Sequence, residues 1–251
     1  MSSVMREPTG IEGFDELVEG GILPDRVYLV SGPPGCGKTT FGIQFLSYGA
    51  AMGRKGLYVC LTETPQTIIA DMSKYNFKVP QLLKSGTLQF LDLGPDLEYG
   101  YFDDLHALIT TPGADVENTP ELDAMKPSDV CRHIKEKVDS SNIQRLVIDS
   151  ISAIKFIAHP PAYESKEVNR FIRNIKRMGC TTVLLSEMSD LDRYPTEQFA
   201  SHGVIFMHNF LLGGEMTRAI QLIKMRGIKH DCNMRRFMFG PSGIKVLDVL
   251  K

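Results

Sequence analysis

Gly32-Pro33-Pro34-Gly35-Cys36-Gly37-Lys38-Thr39 follows an apolar stretch at residues 27–31 and leads into a helical pattern at residues 39–51. The run fits GxxxxGK[ST], and a strand before it with a helix after it is the context that the motif requires. Glycines at 32, 35 and 37 let backbone N–H groups converge on one point, and the N-terminus of the following helix adds partial positive charge there. Lys38 is placed to neutralise terminal phosphates, Thr39 to offer its hydroxyl to magnesium, and Thr40 to reach a neighbouring phosphate oxygen. Pro33, Pro34 and Cys36 complete the loop. The reading is a site for ATP with Mg2+. A plain glycine-rich turn between strand and helix would have no need of Lys38-Thr39.

Outward from the loop, further apolar runs at residues 56–61, 88–91, 145–149, 181–186 and 203–208 read as buried strands of a covered, largely parallel sheet. Helical patterns at 127–138 and 166–178 alternate with them, and the helix that the loop opens is expected to be amphipathic. After residue 208 the runs 219–225, 235–239 and 244–247 follow one another without a helix, as antiparallel strands extending the sheet edge would. The fold class is therefore α/β, a doubly wound, mainly parallel sheet with antiparallel C-terminal edge strands. Arg145-Leu146-Val147-Ile148-Asp149 ends an apolar strand in a carboxylate, which beside a phosphate loop suits the holding of a metal-bound water. An isolated Asp at a strand end would instead read as a turn former or helix cap. Ser150 and Ser152, which follow, read as capping residues.

The chain has 251 residues, 43% hydrophobic and 23% charged, with a formal net charge of −2. One α/β domain is the default for this length, and the charge gives no global attraction to nucleic acid or to an anionic membrane surface. Five scattered cysteines with no CxxC pair point to a reducing cytoplasm. No apolar stretch reaches the ~18 residues of a membrane span. Residues 91–125, acidic and without Lys or Arg, read as a surface excursion or partly ordered lid, peripheral to nucleotide chemistry.

Several stretches together resemble the KaiC-like branch of the RecA-type ATPases: Thr9-Gly10-Ile11-Glu12-Gly13-Phe14-Asp15 with Gly20-Gly21, the phosphate loop, Tyr58-Val59 through Glu63-Thr64-Pro65, and Gly214 through Lys224-Met225-Arg226-Gly227 to His230. The resemblance implies a RecA-like P-loop NTPase fold and a homo-oligomeric ring, often a hexamer, with ATP between subunits. It also implies that Lys224, Arg226 and His230 of one subunit reach nucleotide on the next. Lys224 and Arg226, two apart on an extended strand, would share a face, and such a cationic pair can act as an arginine finger. Read without the resemblance, they make a solvated basic edge strand.

One position departs from the family's pattern. Its members end the strand after the P-loop helix with two glutamates, the first polarising the attacking water, whereas this chain has Thr62-Glu63. A hydroxyl cannot serve as a general base near neutral pH. Glu63 can supply the carboxylate if the strand has already ended, as Thr64-Pro65 allows; otherwise it is a capping or salt-bridging surface residue. Ser186 and Glu187 match the family's γ-phosphate-sensing region. The readings that follow are a regulatory or assembly ATPase acting on a protein partner, an ATP-binding switch with little hydrolysis, and a RecA-like DNA-binding ATPase. Residues 189–202 carry Asp190, Asp192 and Glu197 against Arg193, which argues against nucleic acid. Residues 194–199 lack the Ser-Thr pair that an autokinase would need.

Overall fold

A computed structural model of the chain describes residues 5–94, 125–158, 163–188 and 195–250. The acidic stretch apart from residues 91–94 and 125, and the loop residues 189–194, lie outside the described residues. Among the described residues nine strands form one sheet: β1 Val27–Gly32, β2 Gly56–Cys60, β3 Leu88–Asp92, β4 Arg145–Asp149, β5 Thr181–Glu187, β6 Gly203–Leu212, β7 Glu215–Met225, β8 Arg235–Gly240 and β9 Gly243–Val249. Their order is β3-β2-β4-β5-β1-β6-β7-β8-β9. The first six in that order are parallel, and β7, β8 and β9 add antiparallel. This is the expected architecture, a mainly parallel α/β sheet with an antiparallel C-terminal extension.

Seven helices are described: α1 Lys38–Ala51, α2 Pro65–Met72, α3 Val79–Lys84, α4 Pro127–Ser141, α5 Ile151–Phe156, α6 Glu164–Lys176 and α7 Thr196–Ala200, with a 3-10 turn at Asp15–Val18. They cover both faces of the sheet, so the central strands are apolar on both sides and successive residues supply different cores. Tyr28, Val30, Tyr58 and Val147 pack on one face with Phe41 and Phe45 of α1. Val27, Leu29, Leu57 and Ile148 pack on the other, with Ile134 of α4 and Phe171 of α6. In α6 the buried Val168, Phe171, Ile172 and Ile175 recur at helical spacing and leave the charged residues outside. The α1 helix differs from the expected amphipathic one. Its residues are buried nearly all round, because the N-terminal arm lies over the side turned away from the sheet.

Arg145 clamps that arm. Although it opens a strand, it is only 1% exposed. Its guanidinium donates to Glu7 Oε1, Phe45 O and Pro8 O, each at 2.7 Å, and lies over the Phe45 ring. The remaining Glu7 oxygen accepts from Thr181 Oγ1. The Thr9-to-Asp15 segment belongs to this scaffold: Asp15 accepts from the Thr9 N–H and hydroxyl, Gln44 of α1 donates to Gly10 O, and Phe14 meets Phe41 edge-on. Among the described residues no helix is long and apolar enough to cross a membrane.

Candidate nucleotide site

The loop between β1 and α1 lies at the C-terminal end of the parallel strands, where open α/β sheets bind ligands. Two glycines show why the loop has this sequence. A Cβ on Gly32 would sit 2.2 Å from the carbonyl oxygen of Met207 in β6, and Gly37 has φ +103 with the Phe239 ring 2.6 Å from where its Cβ would lie. Lys38 is folded over the loop, its Nζ donating to Gly32 O at 2.9 Å and Pro33 O at 3.0 Å. Its ammonium is thus held by the backbone that would surround a phosphate. Cys36 is fully buried beneath the loop, and burial pushes its thiol up. Thr40 is buried in the first turn of α1.

The end of β4 meets the start of α1 directly. Thr39 Oγ1 donates to Asp149 Oδ2 at 3.2 Å, and the same oxygen accepts from the Tyr58 hydroxyl at 2.5 Å. Burial pushes the Asp149 carboxyl above its ordinary value, opposed by the Tyr58 and Thr39 hydrogen bonds and by the charge of Lys38. The peptide between Asp149 and Ser150 is cis. Ser150 stands at the N-cap of α5, but its side chain makes no capping bond. Ser152 does not cap either: its hydroxyl accepts the Glu187 N–H at 3.3 Å, tying α5 to the end of β5.

Strand β2 ends at Cys60, and Thr64 with Pro65 starts α2, the Thr64 hydroxyl accepting from the Thr67 N–H. The condition set by the sequence for Glu63 is therefore met: it lies past the strand end, exposed, among acidic neighbours. Although the residue is exposed overall, partial desolvation of its carboxyl, with the charges of Asp149, Asp71 and Glu187 nearby, holds that carboxyl above the usual range. Glu187 is in register with Gly32 across β5 and β1. Ser186 turns inward, its hydroxyl donating to Glu197 Oε1 at 3.3 Å, beside Lys155.

This donor set fits a magnesium ion. Thr39 and Asp149 offer hard oxygen ligands at the phosphate loop, and among the described residues no group of three or more His, Cys, Asp or Glu forms a metal cage. Magnesium characteristically takes one or two protein groups and draws its remaining ligands from phosphates and water.

Lys224, Arg226 and His230 are elsewhere. Val204 of β6 pairs with Leu29 on one side and Lys224 on the other, while the Arg226 N–H reaches His202 O and the His202 N–H reaches Val27 O. Arg226 is therefore level with the beginning of β1, roughly 17 Å along the strand direction from Gly32. The expected shared strand face is also modified: β7 stops at Met225, and a register shift occurs at Val204/Ile205. Both cations nevertheless converge on α7. Lys224 Nζ donates to the carbonyls of Gln198, Phe199 and Ser201 at 2.8, 3.2 and 2.7 Å, and Arg226 Nη2 approaches Phe199 O at 3.4 Å. Burial, then Arg226 and Lys176, push the Lys224 ammonium down to about 8. His230 Nδ1 lies 3.1 Å from Ile228 O in the turn after β7.

On the sequence alone Tyr58 is no site residue, only part of an apolar, family-like strand. A polar aromatic inside such a strand next to a phosphate loop is the available signal. Phe239 and Arg218 also border the loop: the Arg218 guanidinium lies 5.1 Å from the Phe239 ring centroid, and that ring packs against Gly37.

One strand separates the loop strand β1 from the carboxylate strand β4, and Thr39 joins their ends. Together these features define a P-loop protein of RecA-like fold. Residues 7–251 match the family described as "ATPase: KaiC", and the chain belongs to that family. It is 31% identical over 249 residues to the circadian clock oscillator protein KaiC of a Prochlorococcus marinus strain, covering 97% of this chain and 46% of that protein. It is likewise 31% identical over 243 residues to the KaiC of Acaryochloris marina, covering 95% of this chain and 43% of that one. The chain thus spans less than half the length of these curated relatives. The crystal structure of a KaiC-like protein from the archaeon Pyrococcus horikoshii OT3 superposes with a TM-score of 0.80 at 29% identity, covering 98% of this chain and 100% of that one.

Proposed function

We propose that this chain binds Mg-ATP on its P-loop and hydrolyses it within a homo-oligomeric ring, a hexamer in the simplest reading, in which each subunit's Lys224, Arg226 and His230 complete the site of its neighbour. The observation that carries this reading is the separation of the two halves. The P-loop, Asp149, Glu63 and Glu187 gather at one end of the sheet, and the cations lie at the other, beyond reach of their own loop. Among the described residues no carboxylate forms an ion pair with Lys176, Lys224 or Arg226. An acidic end and a basic end on one chain suit head-to-tail association.

In this reading Lys38 and the loop N–H groups hold the terminal phosphates, and Thr39 with Asp149 holds the metal. Bound magnesium supplies neutralisation of the phosphate oxygens. Glu63 accepts a proton from the attacking water, for which a carboxyl raised above its ordinary value is better suited than an unperturbed one. Arg226 of the neighbour stabilises charge on the transferring phosphoryl group. Nucleotide state at the interfaces then acts on a regulatory protein partner. The five free thiols suit a reducing compartment, and the reading places the protein in the cytoplasm.

A second reading, an ATP-bound switch with little hydrolysis, is favoured by one feature: Thr62 holds the position of the usual first glutamate, and the adjacent Glu63 is exposed. Turnover measured alongside native mass, with and without Mg-ATP, tests both. The proposal expects Mg-ATP to drive assembly and to be hydrolysed by the assembled form. Assembly without turnover would leave the switch, and full turnover by a monomer would remove the interface from the mechanism.

A further inference from the structure

Tyr58 is fully buried, with no exposed surface. Its ring stacks on Phe90 of β3 with centroids 5.3 Å apart, and on the α1 side a Cβ at Gly42 would lie 3.4 Å from its Cε2. That is ordinary van der Waals contact, so the ring lies directly beneath the helix, while it is Val147, whose Cγ1 would be 2.9 Å from such a Cβ, that takes up the space a side chain at Gly42 would need. Held between strand and helix, the ring has little freedom, so packing fixes where its hydroxyl points. That hydroxyl donates to Asp149 Oδ2, the oxygen that also accepts from Thr39. Among the described residues Asp149 Oδ1 accepts no hydrogen bond.

We infer that Tyr58 is a positioning residue for the metal-holding carboxylate: by occupying Oδ2 together with Thr39, it fixes the plane of Asp149 and leaves Oδ1 to face a metal-bound water. The inference rests on the reading of Thr39 and Asp149 as the magnesium site. Its physical basis is general. Outer partners orient ligating carboxylates, and their loss lowers metal affinity about ten- to hundredfold. Without the phenol the carboxylate would keep a single protein donor and could turn about its Cβ–Cγ bond. A buried tyrosine that served the fold alone would need a hydrogen-bond partner, but not this carboxylate.

Tyr58→Phe removes one oxygen and keeps the ring. The test titrates Mn2+ against the protein loaded with a non-hydrolysable ATP analogue, following free Mn2+ by electron paramagnetic resonance. Nucleotide affinity in EDTA and the thermal midpoint are measured in parallel. The expected result is a Mn2+ affinity lowered about tenfold, with metal-free nucleotide binding within about twofold of the unaltered protein. Unchanged or tighter Mn2+ binding by the folded variant overturns the role of Tyr58. If the unaltered protein itself takes up no Mn2+ in a nucleotide-dependent way, the assignment of the metal site fails, and the inference with it. Should Tyr58→Phe not fold, Phe90→Leu decides. It loosens the ring while retaining the hydroxyl and is expected to weaken Mn2+ binding several-fold; full affinity would overturn the inference.

Discussion

Thr39 Oγ1 donates to Asp149 Oδ2 at 3.2 Å across 110 residues of chain. The contact ties the first turn of the helix after the P-loop to the end of β4, so phosphate and metal recognition meet at one point. Lys38, whose ammonium rests on the Gly32 and Pro33 carbonyls, stands on the phosphate side of that point. Lys38→Ala is expected to lower ATP turnover about a hundredfold or more, the cost of removing one preorganised electrostatic partner, with the circular dichroism spectrum preserved. Undiminished turnover would refute the site.

Arg145 and Glu7 give a stability prediction. The pair is buried, and Arg145 also holds two backbone carbonyls. Removing one partner strands the other charge, so Arg145→Met should cost about 3–5 kcal/mol. For a chain of this size that lowers Tm by roughly 10 °C. Changing both residues to apolar ones should cost less than changing Arg145 alone. Thermal or chemical denaturation checks both statements, and a loss below about 1 kcal/mol for the single change would contradict the clamp.

The phosphate loop was legible in the sequence because its chemistry is contiguous: one short run carries the glycines, the lysine and the hydroxyls. Asp149 was legible as a carboxylate at the end of an apolar run, and the mainly parallel architecture followed from the alternation of runs and helices. What escaped depends on register and distance. Tyr58 meets Asp149 because β2 lies beside β4 with Cys60 opposite Asp149, and nothing in Leu57-Tyr58-Val59 states which group its hydroxyl will find. Arg145 is a polar clamp because Glu7, 138 residues away, arrives beside it. The α2, α3, α5 and α7 helices are too short to impose a periodic pattern. The register shift near Lys224 left no mark in a run of strand-forming residues.

His202 links stability to pH. Its Nδ1 accepts the Val27 N–H at 3.0 Å, a bond open to the neutral ring. Burial, then Lys176, Arg26, Arg226 and Lys224, push its pKa down to about 4, against 6.5 when free. Between these values the unfolded chain binds more protons than the folded one, so this contribution to stability shrinks as pH falls from 6.5 towards 4. The ring is half-exposed, and solvent screening limits the effect to about 1 kcal/mol. His202→Asn, which cannot ionise, should therefore lose less stability than the unaltered protein on going from about pH 7 to about pH 5. Equal losses in denaturant titrations would contradict the assignment.

Interface catalysis makes a claim about Arg226 rather than Lys224, because Lys224 also caps α7 through three carbonyls and its loss would disturb the fold. Arg226→Ala should lower turnover about a thousandfold if it acts as an arginine finger, while each subunit's P-loop and Asp149 stay intact. Mixing this variant with Lys38→Ala, with subunit exchange verified by native mass spectrometry, is the measurement that separates the two ends of the molecule. An Arg226→Ala subunit keeps a working P-loop and a Lys38→Ala subunit keeps a working finger, so some mixed interfaces regain both. Turnover of the mixed rings is expected to rise above the sum of the two variants assayed separately. Additive residual activity in verified mixed rings, or normal turnover by Arg226→Ala alone, would contradict a site completed by the neighbouring subunit.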